Sequence, residues 1–250
     1  MMVFVSPALG ADEPEPLKKL HKRVYRNAQG DSIPYRLFIP AGYDPAKRYP
    51  VILFLHGMGE RGADNELQLK NGEFLRLVRD DVGAKYPCFL VAPQCPLTER
   101  WADVSSDLKR PHKTPAQPTR ALRLALEVLD ALEKEFSIDP ARRYVTGLSM
   151  GGFGTFEACL RRPGYFAAAV PICGGADDSR AKDLVGTSFW IFHGANDPIV
   201  PVGRSRSIYH LLKAAGARVK YTEYPGVGHN SWTKAYNEPD LPDWLFAQHR

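Results

Sequence analysis

Three side chains in this sequence have the types and placement for nucleophilic attack on a carbonyl. Ser149 lies in Gly147-Leu148-Ser149-Met150-Gly151, a G-x-S-x-G stretch that follows the β-branched run Tyr144-Val145-Thr146. That order reads as a strand, a sharp turn and the start of a helix, the elbow on which a serine hydroxyl stands clear of a sheet. The flanking glycines have a steric reason: side chains two residues either side of the serine would collide with neighbouring backbone. The turn also aims N–H groups at the helix start, that of Met150 among them, toward developing negative charge.

A nucleophilic serine requires a base, and the base a group to orient it. In open α/β sheets such groups collect at the carboxyl ends of strands. Phe189-Trp190-Ile191-Phe192 runs into His193-Gly194-Ala195-Asn196-Asp197-Pro198, placing Asp197 just past a strand end. Val219–Tyr224 runs into Pro225-Gly226-Val227-Gly228-His229, placing His229 past the next. The chain order Ser149, Asp197, His229 is that of serine–acid–histidine triads on α/β sheets. Asp177 and Asp178 are rival acids. His193 and His210 are rival bases, but His193 lies too close to Asp197 along the chain to present its ring easily, and His210 reads as mid-helix. Leu55-His56-Gly57-Met58 leaves the first buried strand, and a His-Gly turn there offers the Met58 N–H as a second oxyanion donor beside that of Met150. The His56 side chain is expected to brace this loop. Glu60 and Arg61 either pair locally or line the site.

The elements needed to hold these groups follow from periodicity. Val51–Leu55 and Phe89–Ala92 are continuous apolar runs, as in strands buried on both faces. Segment 65–82 is loosely helical and interrupted at Asn71-Gly72. Thr119–Phe136 is the clearest helix, with Leu122, Ala125, Leu126, Leu129 and Leu132 on one face. Further strands are expected over 167–172, 189–192 and 219–224, and helices over 203–215 and 240–248. This alternation predicts a mostly parallel central sheet with helices on both faces, preceded by an antiparallel hairpin around Ala28-Gln29-Gly30-Asp31. The proline-rich segment 94–118 has no periodicity and is expected to wall a substrate groove, with Trp101 and, from the other side, Trp232 as candidate stacking residues. The Cys173–Thr187 connection is too short for a large cap domain.

Composition narrows the class further. The 250 residues suit one α/β domain with a substantial core, over 17–250. The net charge of +5 is spread along the chain, without the basic runs and interleaved aromatics of a nucleic-acid binder. No stretch is long and apolar enough to span a membrane. Met1–Ala11 is short, apolar and ends in small residues before Asp12-Glu13-Pro14. It resembles the tail of a secretory signal peptide, although it lacks a positive start, and points to a secreted or periplasmic protein with residues 1–16 outside the fold. Cys88 and Cys95 flank a strand and are too far apart to bridge; Cys159 and Cys173 read as buried hydrophobes. No cysteine or histidine cluster suggests a metal, and no cofactor is implied.

Over residues 20–248 the chain resembles the α/β-hydrolase superfamily. More narrowly it is similar to the single-domain secreted esterases grouped with predicted peptidases, polyhydroxybutyrate-depolymerase-like and feruloyl-esterase-like hydrolases. The motifs that carry this are Leu55-His56-Gly57-Met58-Gly59-Glu60-Arg61-Gly62, Ala92-Pro93-Gln94-Cys95-Pro96, Gly147–Gly152, His193-Gly194-Ala195-Asn196-Asp197 and Gly228-His229-Asn230-Ser231-Trp232. The resemblance implies a Ser-His-Asp hydrolase of small-molecule or polymer-linked carboxylic esters acting through an acyl-enzyme. A peptidase or acyltransferase with the same triad stays open. A non-catalytic binding protein is disfavoured by the intact triad, and a dehalogenase by serine rather than aspartate at position 149.

Overall fold

The computed structural model describes residues 19–250 apart from Ser106, so the signal-peptide-like stretch lies outside the described residues. Eight strands form one sheet in the order β1-β2-β4-β3-β5-β6-β7-β8. The hairpin expected near the start pairs β1 (Leu20–Arg26) with β2 (Ser32–Phe38), and β2 runs antiparallel to β4 (Phe89–Pro93). From β4 onward all neighbours are parallel: β3 (Tyr49–Leu55), β5 (Ile138–Leu148), β6 (Ala168–Ile172), β7 (Ser188–Gly194) and β8 (Val219–Tyr224).

Every residue of β3, β4, β6 and β7 is buried, as unbroken apolar runs require when both sheet faces are covered. Successive side chains of β3 feed opposite cores. Val51, Leu53 and Leu55 join the face covered by α2 (Arg120–Glu135), α3 (Met150–Arg161) and α4 (Gly203–Ala214). Ile52 and Phe54 join the face covered by α1 (Asp80–Lys85), α5 (Trp232–Tyr236) and α6 (Leu241–Phe246). The two-residue period of the strand thus divides the core in two. Helix α2 begins where its sequence signals it should, with the Thr119 hydroxyl accepting the Leu122 N–H at 3.2 Å.

Three local expectations change. Segment 65–82 forms short 3₁₀ turns, Leu67–Leu69 and Gly72–Leu77, before α1; Asn65 at φ 58° blocks a regular helix start. The closing helix is shorter than expected, and α5 precedes it. Between β6 and β7 the described chain forms only a 3₁₀ segment, Asp178–Leu184, so no large cap covers the sheet edge there. Cys88, Cys95, Cys159 and Cys173 are all buried free thiols. Among the described residues no helix is long and apolar enough to cross a membrane.

The strand order places the site. Strand β4 follows β3 but lies on one side of it, and β5 lies on the other. The connections leaving β3 and β5 therefore diverge at a topological switch point, where open α/β sheets bind their ligands. Leu55, the last residue of β3, is in register with Gly147, so the His56–Met58 turn and the Ser149 elbow sit side by side.

Candidate active site

Ser149 occupies φ 54°, ψ −115°, a conformation in which a non-glycine residue stores on the order of 1–3 kcal/mol of strain. Its N–H donates to Ile172 O at 2.9 Å and its carbonyl accepts the Phe153 N–H at 3.1 Å, which holds the elbow between β6 and the first turn of α3. The glycines do what their spacing suggests: a Cβ on Gly147 would stand 2.4 Å from Gly151 O, and one on Gly151 would stand 1.8 Å from Leu55 O.

The three residues from three separate loops meet. Ser149 Oγ is 3.0 Å from His229 Nε2, and His229 Nδ1 is 2.7 Å from Asp197 Oδ2. The loops after β7 and β8 interlock to bring this about: Ala195 N–H donates to Tyr224 O at 3.0 Å and Asn196 N–H to Val227 O at 2.9 Å. Asp197 Oδ1 accepts the N–H groups of Ile199 (2.8 Å) and Val200 (3.0 Å). Burial alone would raise the Asp197 carboxyl, whose side chain is fully buried, but hydrogen bonds from His193, His229 and these two backbone groups outweigh it and hold it well below the usual carboxylate range.

The rival residues sort themselves structurally. Asp177 caps the 3₁₀ segment through Ser179 and accepts the Thr114 N–H, and Asp178 accepts from the Ser207 hydroxyl. His210 is exposed on α4 beside Tyr209. His193 departs from expectation. It is the sixth residue of β7, fully buried, and its Nε2 lies 3.2 Å from Asp197 Oδ2. The turn in which Asp197 N–H approaches Gly194 O at 3.3 Å folds the acid back over the strand end, so closeness in sequence does not prevent the contact.

His56 braces the loop beside the elbow. Its Nε2 accepts the Cys95 N–H at 2.9 Å, so Nδ1 carries the proton and donates to Gly57 O at 2.6 Å. Burial lowers His56 to about 4. An unfolded histidine titrates near 6.5, so between those values the unfolded chain binds the extra proton. This contribution to stability is whole above pH 6.5 and falls as pH drops toward 4, by on the order of 3 kcal/mol. Urea titrations from pH 7 to 4 should show the decline. It should be shallower by about one proton in His56→Gln, whose Oε1 can take over the Cys95 N–H; equal slopes would contradict the assignment. Met58 follows in a 3₁₀ turn, Met58–Glu60, and is 43% exposed. Burial raises the Glu60 carboxyl, which lies under the same turn.

A cavity of about 390 Å³ opens over Ser149. Met58, Met150, His229 and Trp232 line it beside the serine. Trp232 stands edge-on to the His229 ring, centroids 5.4 Å apart. Ala102, Val104, Phe153 and Val200, with Leu108 against them, give the cavity an apolar wall separate from the two cores. Segment 94–118 supplies part of that wall, as its length suggested. Arg161 holds it down: Nη1 donates to Ala116 O (2.9 Å) and Nη2 to Pro115 O (2.7 Å), while Glu157 pairs with the guanidinium at 2.7 Å. Trp101 is not part of the cavity. It is fully buried, with Nε1 donating to His56 O at 3.0 Å and its Cβ against Gly154, so it supports the loop from beneath. A tryptophan in an aperiodic loop gives no sequence signal of which way it turns.

Among the described residues, one grouping of ligand atoms could hold a metal: Cys173, Asp197 and His229, within 4.8 Å of one another. Two of the three are already joined by the hydrogen bond described above, and burial pushes the Cys173 thiol far up.

A mostly parallel sheet, a serine on a strand-to-helix elbow and an open crevice at the switch point define an α/β hydrolase. Residues 27–200 match the family described as "Putative esterase", and the chain belongs to that family. It is 38% identical, with a TM-score of 0.87, to a thermostable esterase of known structure, covering 93% of this chain and 64% of that one. A probable SOBER1-like carboxylesterase of Arabidopsis thaliana is 25% identical over 72% of each chain. A probable feruloyl esterase C of Aspergillus terreus is 27% identical over 67% of this chain and 56% of its own. The chain thus spans little more than half to about seven-tenths of the length of these relatives.

Proposed function

We propose that the protein is a serine hydrolase of carboxylic esters that works through an acyl-enzyme. The hydrogen-bonded chain Ser149–His229–Asp197 on the elbow carries this reading. Ser149 Oγ attacks the ester carbonyl while His229 Nε2 takes its proton. Asp197 keeps the imidazole proton on Nδ1 and stabilises the imidazolium that forms. The N–H groups of Met58 and Met150 receive the oxyanion, each worth about 3 kcal/mol in the transition state. His229 returns the proton to the leaving alcohol, then activates the water that releases the acid. The apolar wall suits the acyl part, with Trp232 available to stack on an aromatic ring. The uncapped crevice admits a bulky or polymer-linked alcohol. Relatives named as feruloyl esterases and as an endo-1,4-beta-xylanase/feruloyl esterase of Xylanibacter ruminicola are consistent with such a substrate.

The test is hydrolysis of p-nitrophenyl acetate, butyrate and octanoate, methyl ferulate and a p-nitroanilide by wild type and Ser149→Ala side by side. Wild type should cleave esters faster than the anilide, and the variant should lose about three or more orders of magnitude. Faster anilide turnover would make it a peptidase, and full activity in Ser149→Ala would remove the serine from the mechanism.

A further inference from the structure

We propose that His193 is a positioning residue for the acid of the triad, setting both the place and the basicity of Asp197. This rests on the triad reading above and adds a fourth member to it.

Asp197 belongs to no regular element. Its loop runs from the end of β7 to α4, with Pro198 and Ile199 exposed beside it. The His193 ring ties that loop to the fold. Nε2 faces two oxygens that can only accept, Asp197 Oδ2 at 3.2 Å and Val200 O at 3.0 Å, so it carries a hydrogen and donates. Nδ1 lies 2.7 Å from Ser205 Oγ on α4, and that hydroxyl also stands 3.0 Å from Gly174 O, beyond β6, its one hydrogen shared between these two acceptors. One imidazole therefore joins the acid loop, a helix and the neighbouring strand end. Both His193 and Ser205 are fully buried, so no water competes for these bonds. The other carboxylate near the ring is Glu223, in register with His193 on β8, and it is engaged by Arg206 and the Tyr221 hydroxyl.

The consequence is chemical as well as geometric. Asp197 Oδ2 accepts from two imidazoles, His229 on the catalytic side and His193 behind it. The bond that His193 gives to Oδ2 withdraws negative charge from the atom that supports the His229 imidazolium. Losing it makes the carboxylate a better partner for the charged imidazole. The acid limb of the kcat/KM profile should then move to higher pH, while the loosened acid lowers kcat.

Two substitutions separate this role from simple packing. In His193→Gln the side-chain amide N–H can stand where Nε2 stands and still reach Asp197. In His193→Asn the amide stands near Nδ1, keeping Ser205 and leaving Asp197 without its second donor. His193→Asn should lower kcat roughly 10- to 100-fold with little change in KM and move the acid limb upward. His193→Gln should stay within about threefold of wild type with the limb unmoved. The downfield proton NMR resonance of the His229–Asp197 hydrogen bond, read without substrate, should shift in the Asn variant and not in the Gln variant. Equal behaviour of the two variants in profile and resonance would overturn the proposal. If wild type cleaves no ester, the hydrolase reading fails on its own, and the resonance still decides the role of His193. Should His193→Asn not fold, His193→Gln decides alone: a moved acid limb and a shifted resonance in that variant, which keeps a donor at the Nε2 position, would overturn the proposal.

Discussion

Asp197→Asn should lower kcat by about four orders of magnitude, close to 5.5 kcal/mol of transition-state stabilisation, with far less effect on KM. The carboxylate is surrounded entirely by donors: two imidazole nitrogens on Oδ2 and two backbone N–H groups on Oδ1. A carboxylate satisfies all four, whereas an asparagine must turn its NH₂ toward one pair. Toward Ile199 and Val200 it opposes fixed backbone donors. Toward the histidines it is accommodated at His229 if that ring moves its proton from Nδ1 to Nε2, and it opposes one donor, the His193 Nε2–H, whose hydrogen can turn to Val200 O. That second choice is the cheaper one, and it leaves Ser149 facing an N–H instead of a base. The same substitution removes a charge whose native pKa is depressed. The stability it supplies is whole above about pH 4 and would be lost only as pH fell through the native value. At neutral pH the variant should therefore melt below wild type while keeping its fold. Steady-state kinetics on a p-nitrophenyl ester, with circular dichroism alongside, read both effects; kcat within tenfold of wild type would show that Asp197 does not orient the base.

The sequence revealed these residues for a specific reason. Each follows a strand of the parallel part of the sheet, the apolar run of β7 before Asp197 being the plainest and the alternating Val219–Tyr224 of the edge strand β8 preceding His229, and parallel strands all discharge their loops at one edge. Ser149, Asp197 and His229 could be placed together without knowing any contact. His193 cannot, because four residues of separation along the chain say nothing of how the loop folds back. Alternation within β7 and the tight turn after Gly194 bring the two together, and neither is visible in composition. Trp101 failed similarly: its loop has no period, so nothing indicates that its ring turns inward to His56. Segment 65–82 and α5 were blurred because a helix of one or two turns offers too few repeats for a 3.6-residue period to stand out. The wall made by 94–118 was expected from its length; its anchoring by Arg161 depends on three carbonyls converging on one guanidinium, which only the folded chain shows.

Gly151→Ala should be the most damaging one-methyl change in the molecule, costing more than about 4 kcal/mol of stability and abolishing hydrolysis. The added carbon would lie 1.8 Å from Leu55 O, 2.5 Å from Leu55 C and 2.9 Å from His56 O, all backbone atoms at the end of β3. None is the tip of a side chain that could rotate away, so α3 must lift off the sheet. Lifting it would cost packing, since Phe156, Cys159 and Leu160 on the helix are fully or almost fully buried against the strands. It would also separate the start of α3 from the His56–Met58 turn, and the two proposed oxyanion donors come one from each. Function and stability therefore fail together here, unlike at Asp197. Gly203→Ala is the control: a Cβ there meets nothing within 4 Å, and the residue opens α4 with ordinary backbone angles. It should be neutral or stabilising by about 0.5 kcal/mol. Urea midpoints for the two variants measure the contrast. If Gly151→Ala stays within about 1 kcal/mol of wild type, the close approach of helix to strand is not what fixes the elbow. Ser149 would then owe its strained backbone to the Ile172 and Phe153 hydrogen bonds alone.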